Sequence, residues 1–176
     1  MSNMIMTLPN IITLIRLAII PFYTYFLLTN DLFIAAILYG VAAISDILDG
    51  YLARRLNQTS NLGKIIDPLA DKIIVIISLI YLGLKAIFPL WGVLILFIKE
   101  LIMLLVGFFF LIRGVEIISS RIYGKLAMVL ISISILMALL NISFSSVVFL
   151  IGLVLSLMAG MDYLLYYLRS LKTNKS

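Results

Sequence analysis

Ile122–Leu140 reads IYGKLAMVLISISILMALL and Ser146–Leu168 reads SVVFLIGLVLSLMAGMDYLLYYL. Lys125 is the lone charge in the first run and Asp162 the lone charge in the second. Both have the roughly 17–25 apolar residues that an α-helix needs to cross a bilayer core. Working outward, Leu8–Leu28, Leu32–Leu56, Ile65–Gly83 and Pro89–Ile112 are of the same kind, although the second of these loses its apolar character after Ser45. The sequence therefore predicts an all-α integral membrane protein, with six transmembrane helices in one domain over residues 1–176. The first run carries Arg16 and Pro21. It is either a short amphipathic interfacial helix that turns inward near Pro21, or one tilted span with Arg16 reaching to the interface. Met1–Thr7 has no basic side chain, so no cleaved signal peptide is expected and the first span is retained.

Composition agrees. Apolar residues make up 64% of the 176 and charged residues 12%, against about 45–50% and 25% in soluble domains. Mean hydropathy is +1.25. A soluble enzyme, a nucleic-acid binder and a disordered chain are excluded. The chain has no Cys and no His. Disulfides, thiolate nucleophiles, imidazole bases and N/S-type zinc sites are thereby removed. A bound metal would be held by oxygen, which points to Mg²⁺, Mn²⁺ or Ca²⁺.

The net charge of +5 reports orientation rather than nucleic-acid binding. With a cytoplasmic N-terminus, the inner loops and ends carry Arg16, Arg54, Arg55, Lys64, Lys72, Arg113, Arg121, Lys125, Arg169, Lys172 and Lys175, while the outer loops carry only Lys85. Lys99 falls inside the fourth span. A multi-pass protein of the cytoplasmic membrane, with both termini inside, is expected.

Two stretches break the apolar pattern. Ser45-Asp46-Ile47-Leu48-Asp49-Gly50-Tyr51-Leu52-Ala53-Arg54 closes the second span, and Gly63-Lys64-Ile65-Ile66-Asp67-Pro68-Leu69-Ala70-Asp71-Lys72 opens the third. Asp46 and Asp49 are three apart and Asp67 and Asp71 four apart, so each pair shares a helical face. The short connection Arg55–Leu62 makes the two helices antiparallel neighbours, and four carboxylates can converge. An acid deep in a bilayer costs about 2.5–3.5 kcal/mol, less near the interface, and like charges push protons back on. A bridging divalent cation removes both penalties. Two-metal sites favour displacement at phosphorus. Gly50 and Ala53 leave room for a substrate, Gly63 relaxes the loop, and Arg54 offers a bidentate fork to phosphate. The same acids also fit a proton relay or the path of a cation transporter, or interfacial pairing with neighbouring Arg and Lys. Their position at the inner ends of two spans, beside Gly, Ala and Arg, favours an enzyme over a transporter, whose acids commonly lie near mid-membrane.

Asp46, Asp49, Gly50, Ala53, Arg54, Gly63, Asp67 and Asp71 match, position for position, the Asp-x-x-Asp-Gly-x-x-Ala-Arg, eight residues, Gly-x-x-x-Asp-x-x-x-Asp signature. In these residues the chain resembles the CDP-alcohol phosphotransferase family. Pro9-Asn10-x-x-Thr13-x-x-Arg16 is similar to that family's N-terminal segment. The resemblance implies six transmembrane helices, a homodimer, and attack by an acceptor hydroxyl on CDP-diacylglycerol with release of CMP. It implies a centre of two ions, Mg²⁺ or Mn²⁺, held by Asp46, Asp49, Asp67 and Asp71, with Asp71 also the base for the acceptor hydroxyl. Asp46, Gly50, Ala53, Arg54, Gly63 and Asp67 would surround the CDP moiety. The active site would face the cytoplasm.

Asp67-Pro68-Leu69-Ala70-Asp71-Lys72 resembles members that make phosphatidylglycerophosphate or cardiolipin. The expected acceptor is glycerol 3-phosphate, with phosphatidylglycerol as the alternative. Ser120–Lys125 is similar to the Gly-Lys segment of such enzymes, and Lys99-Glu100 to their Arg-acid pair. The Thr-Gly-Leu-Arg that usually follows that pair reads Leu104-Leu105-Val106-Gly107 here. Arg113, Arg121 and Lys125 are candidates to supply the missing acceptor-binding charge, or are simply inner-loop charges. Lys99-Glu100 is either a purely structural pair or a substrate contact; Glu100 could reach Arg16 or another basic inner residue, and Asp162 could pair with Arg121 or Lys125. Tyr163, Tyr166 and Tyr167 read as interfacial anchors.

Overall fold

The computed structural model describes residues 8–56, 63–112 and 122–173. They form six α-helices: α1 Leu8–Leu28, α2 Leu32–Leu56, α3 Gly63–Leu84, α4 Leu90–Ile112, α5 Ile122–Leu139 and α6 Ser145–Thr173. The helix bounds follow the apolar runs within about two residues, except that α6 continues past Leu168. α1 runs unbroken through Pro21, so no separate interfacial helix precedes the proline. Proline removes one intrahelical donor and crowds the preceding turn, but a single such defect does not end this helix. Thr24 Oγ1 donates to the Ile20 carbonyl at 2.9 Å in the same turn.

Among the described residues, Ile122–Leu139 and Ser145–Leu165 are each long and apolar enough to cross a membrane. The outward faces are as apolar as the buried ones. On α6, Val147, Ile151, Val154, Met158, Met161 and Leu165 form an exposed stripe at helical spacing. On α4, Trp91, Leu94, Ile98, Leu101 and Leu105 do the same. Exposed apolar stripes of this length are untenable in water and natural against acyl chains.

The described residues group into two compact units. The first holds α1, α2 and α3 as far as Tyr81, with Leu139–Ile142. α1 packs on α2, with Tyr23, Leu27, Ala35, Ala36, Tyr39 and Ala42 buried. Three alanines on α2 keep its buried side narrow, as close helix packing in lipid requires. The turn between α1 and α2 closes on Asn30 in the left-handed region at φ 62°, a conformation Asn tolerates. Asp31 N–H donates to the Phe26 carbonyl and Thr29 N–H to the Tyr25 carbonyl, both at 3.0 Å.

The second unit holds the end of α3, α4, most of α5, and α6. Ala86 turns the chain at φ 57°. The buried Phe88 ring stacks on Phe149 at 4.5 Å with planes 8° apart. Ser146 Oγ donates to the Ile87 carbonyl, which satisfies a turn acceptor from the start of α6. α4 packs on α6, and Gly152 lets α6 approach α5. A Cβ at Gly152 would lie 3.0 Å from Ile131 Cγ1, 3.3 Å from Ile131 N and 3.4 Å from the Ala127 carbonyl oxygen. A side chain can swing away, but backbone atoms cannot. Gly152→Ala is therefore expected to destabilise by about 1–3 kcal/mol, the usual cost of overpacking. Gly40 has nothing within 4 Å of its Cβ position. Gly40→Ala is expected to be neutral, or to stabilise by up to about 1 kcal/mol through helix propensity. Thermal unfolding midpoints in detergent measure both: a lowered midpoint is expected for Gly152→Ala and an unchanged or raised one for Gly40→Ala.

Candidate active site

The backbone places the sequence-predicted residues on two helices of the first unit. Asp46, Asp49, Gly50, Ala53 and Arg54 lie in the last part of α2, and Gly63, Asp67 and Asp71 in the first part of α3. Their side chains, and residues 57–62 between the helices, lie outside the described set.

Helical register adds what the motif alone lacks. At about 100° per residue, Ala35, Tyr39, Ala42, Asp46, Asp49 and Ala53 fall within about 40° of one direction. The first three are buried, at 0%, 3% and 2% exposure. On α3, Asp67, Asp71, Ile74 and Ser78 also fall within about 40° of one direction. Ile74 and Ser78 are buried, at 4% and 0%. Both acid pairs thus occupy the register of stripes that pack inside the first unit. The lipid-compatible face of α2, with Phe33, Ile37, Val41 and Ile44, is a different one.

The helices that carry the acids are tied through α1. The Tyr23 ring lies 6.1 Å from the Tyr39 ring at 44°. Its hydroxyl is hydrogen-bonded to Ser78. Ser78 Oγ gives its one proton to the Ile74 carbonyl at 2.7 Å, so Tyr23 is the donor between them. Tyr81 Oη donates to Asn30 Oδ1 at 2.9 Å. None of these four contacts was visible in the sequence. The only available signal was a hydroxyl, Ser78, inside an apolar run.

In the second unit, Lys99 sits on α4 with its side chain 17% exposed. Its ammonium donates to Glu100 Oε1 at 2.7 Å and to Ser156 Oγ of α6 at 2.9 Å. The long lysine stem turns back on its own neighbour, so Lys99 and Glu100 form the structural pair that is one of the two readings of this dipeptide. Gly160 makes space for that stem, since a Cβ there would lie 3.2 Å from Lys99 Cε. Lys125 is exposed on α5, and Asp162 is half-buried on α6. Arg113 and Arg121 lie outside the described residues. Among the described residues, no three acidic side chains gather into a metal-binding group. The metal-centre expectation therefore rests on the α2 and α3 acids.

The sequence profile of the CDP-alcohol phosphatidyltransferase family matches residues 6–158. The chain belongs to this family. The matched span takes in both acid pairs and all of α1 to α5. The chain is similar to a CDP-diacylglycerol–glycerol-3-phosphate 3-phosphatidyltransferase of Aquifex aeolicus, at 33% identity over 171 residues, covering 91% of this chain and 95% of that protein. The enzyme of the same name from Wigglesworthia glossinidia brevipalpis is 47% identical over 78 residues, 43% of each chain. A CMP-forming cardiolipin synthase of Streptomyces coelicolor is 35% identical over 109 residues, 58% of this chain and 51% of that protein. The family assignment agrees with the resemblance carried by the acid motif, and it removes the cation transporter as a competing reading.

Proposed function

We propose that this protein is a CDP-diacylglycerol-dependent phosphatidyltransferase that makes phosphatidylglycerophosphate from glycerol 3-phosphate and releases CMP. The observation that carries the reading is the family match over residues 6–158, a span that contains the motif acids Asp46, Asp49, Asp67 and Asp71. Glycerol 3-phosphate is supported by the Aquifex relative, which the chain matches over nearly its whole length. The second reading, phosphatidylglycerol as acceptor and cardiolipin as product, draws on the Streptomyces relative and on the apolar Leu104-Leu105-Val106-Gly107. Radiolabelled CDP-diacylglycerol offered with glycerol 3-phosphate, phosphatidylglycerol, serine and inositol tests it. Labelled phosphatidylglycerophosphate is the expected product, and cardiolipin would establish the second reading.

The donor set fits a divalent metal. Four carboxylates with no His or Cys suit a hard cation, and Asp46, Asp49, Asp67 and Asp71 would hold two of them, Mg²⁺ or Mn²⁺. When bound, the ions supply charge neutralisation and polarisation at the diphosphate. The chain's own groups do the rest. Arg54, with a fork of fixed geometry, holds a phosphate oxygen pair. Gly50, Ala53 and Gly63 have small or no side chains and admit the CDP moiety. Asp71 takes the proton of the acceptor hydroxyl as its oxygen bonds to the phosphatidyl phosphorus. The anhydride bond from that phosphorus to the CMP phosphate breaks, and CMP leaves with its electron pair. Arg113, Arg121 and Lys125 offer charge to the acceptor phosphate.

The same reading takes the chain as one catalytic domain with six spans in the cytoplasmic membrane, functioning as a homodimer, with termini and site in the cytoplasm. The charge bias supports the orientation. A Thr59→Cys variant of this Cys-free chain is expected to react with a membrane-impermeant maleimide only after cells are opened. Labelling in intact cells contradicts the topology.

A further inference from the structure

Tyr23 touches both helices that carry the acids while belonging to neither. It has no exposed surface and lies on α1, its ring against Tyr39 of α2 and its hydroxyl on Ser78 of α3. Ser78 is as fully buried, and its own proton is committed to Ile74. A bond between two groups without water around them is directional, and its loss is not made good by solvent. Its place along the helices matters as much. Tyr39 stands seven residues before Asp46, and Ser78 seven residues after Asp71. Seven residues are about two turns, or roughly 10.5 Å of rise, and return to nearly the same face. The junction therefore sits on the stripes that carry the acids, at the same axial distance from each pair. A second tie, Tyr81 to Asn30, holds the α1–α2 turn to α3 and limits rotation about the first.

We propose that Tyr23 is a positioning residue for the phosphatidyl-transfer centre: it fixes the spacing and register of α2 against α3, and thereby the separation of the two acid pairs. This rests on the function proposed above. The physical need is specific. Two helix ends bearing four carboxylates repel, and a cation or diphosphate that must meet all four binds best when the helices are already held at the required distance. Residues that are only core filler have no such consequence, because losing them costs stability in proportion to activity.

The test separates the two. Nitroxide labels on Ile44→Cys and Ile76→Cys, exposed positions of α2 and α3 in a Cys-free chain, report the helix spacing by pulsed electron resonance. They are placed in the wild-type, Tyr23→Phe, Ser78→Ala and Tyr23→Phe/Ser78→Ala backgrounds. CMP release and thermal midpoint are followed in the same four proteins without labels. Tyr23→Phe keeps the ring and removes the donor. It is expected to broaden the distance distribution and slow turnover about tenfold, the scale of one hydrogen bond worth about 1.4 kcal/mol, and to lower the midpoint modestly, since the Ser78 oxygen loses its donor but keeps its own bond to Ile74. Ser78→Ala strands a buried phenol hydroxyl and is expected to lower both midpoint and turnover. The double variant removes both polar groups, which is often nearly neutral for stability. Its midpoint is expected to return towards wild type while turnover stays about tenfold low and the distribution stays broad. An unchanged distribution in Tyr23→Phe overturns the proposal, as does turnover that recovers with the midpoint in the double variant. A wild-type protein that releases no CMP sinks the proposed reaction instead, and the distance distribution alone then decides whether Tyr23 sets the spacing.

Discussion

Asp71→Asn is expected to slow CMP release by about 10²–10⁴-fold, the usual worth of a general base, while CDP-diacylglycerol binding survives. The amide keeps the size of the side chain and one oxygen for a metal, but it cannot take the acceptor's proton. Asp71 lies one turn along α3 from Asp67 and in register with the buried Ile74 and Ser78. It is the acid of its pair closer in sequence to Ser78, which meets Tyr23 of α1. Binding is read as the rise in thermal midpoint on adding CDP-diacylglycerol with Mg²⁺, and turnover as CMP release. Turnover within a few-fold of wild type would remove Asp71 as the base and leave Asp49 as the next carboxylate to examine.

Removing divalent cations is expected to abolish turnover altogether. Four carboxylates facing a diphosphate gather more negative charge than Arg54 alone can offset, and a chain with no imidazole or thiolate leaves those carboxylates to hold hard cations. The effect has a readout independent of activity. A ligand that binds only the folded state stabilises it by RT ln(1 + [L]/Kd), about 2.7 kcal/mol at a hundredfold excess over Kd. Mn²⁺ is therefore expected to raise the midpoint of the wild-type protein in the absence of substrate. The rise is smaller in Asp67→Asn, which loses a ligand charge. Full CMP release in excess chelator, or no midpoint response to either cation, rules out the metal centre.

Hydropathy made the helices legible because in a bilayer the span length and the apolar run are the same quantity. The extents of α2, α4 and α5 follow directly. Continuity through Pro21 was not legible, since proline at that depth is compatible with both a break and an uninterrupted helix. The turn at Ala86 was equally hidden, because alanine carries no signal for a left-handed backbone, whereas Asn30 and Asn141 do. The acid motif was legible as a pattern, whereas burial of Ala35, Tyr39, Ala42, Ile74 and Ser78, the described positions in helical register with it, was not. Contacts between residues far apart in sequence, Tyr23 with Ser78 and Lys99 with Ser156, could not be read at all. Each joins a single polar atom in one apolar run to another in a second run, and nothing local specifies the match.

Product stoichiometry distinguishes phosphatidyl transfer from hydrolysis. Purified protein in mixed micelles is given CDP-diacylglycerol, Mg²⁺ and glycerol 3-phosphate, and CMP and lipid product are quantified together over time. Direct phosphatidyl transfer predicts one phosphatidylglycerophosphate for each CMP, with neither formed when the acceptor is left out. CMP released without an acceptor, with phosphatidic acid as the lipid product, would show hydrolysis in its place, and no CMP under any of these conditions would contradict the assignment of the reaction to this chain.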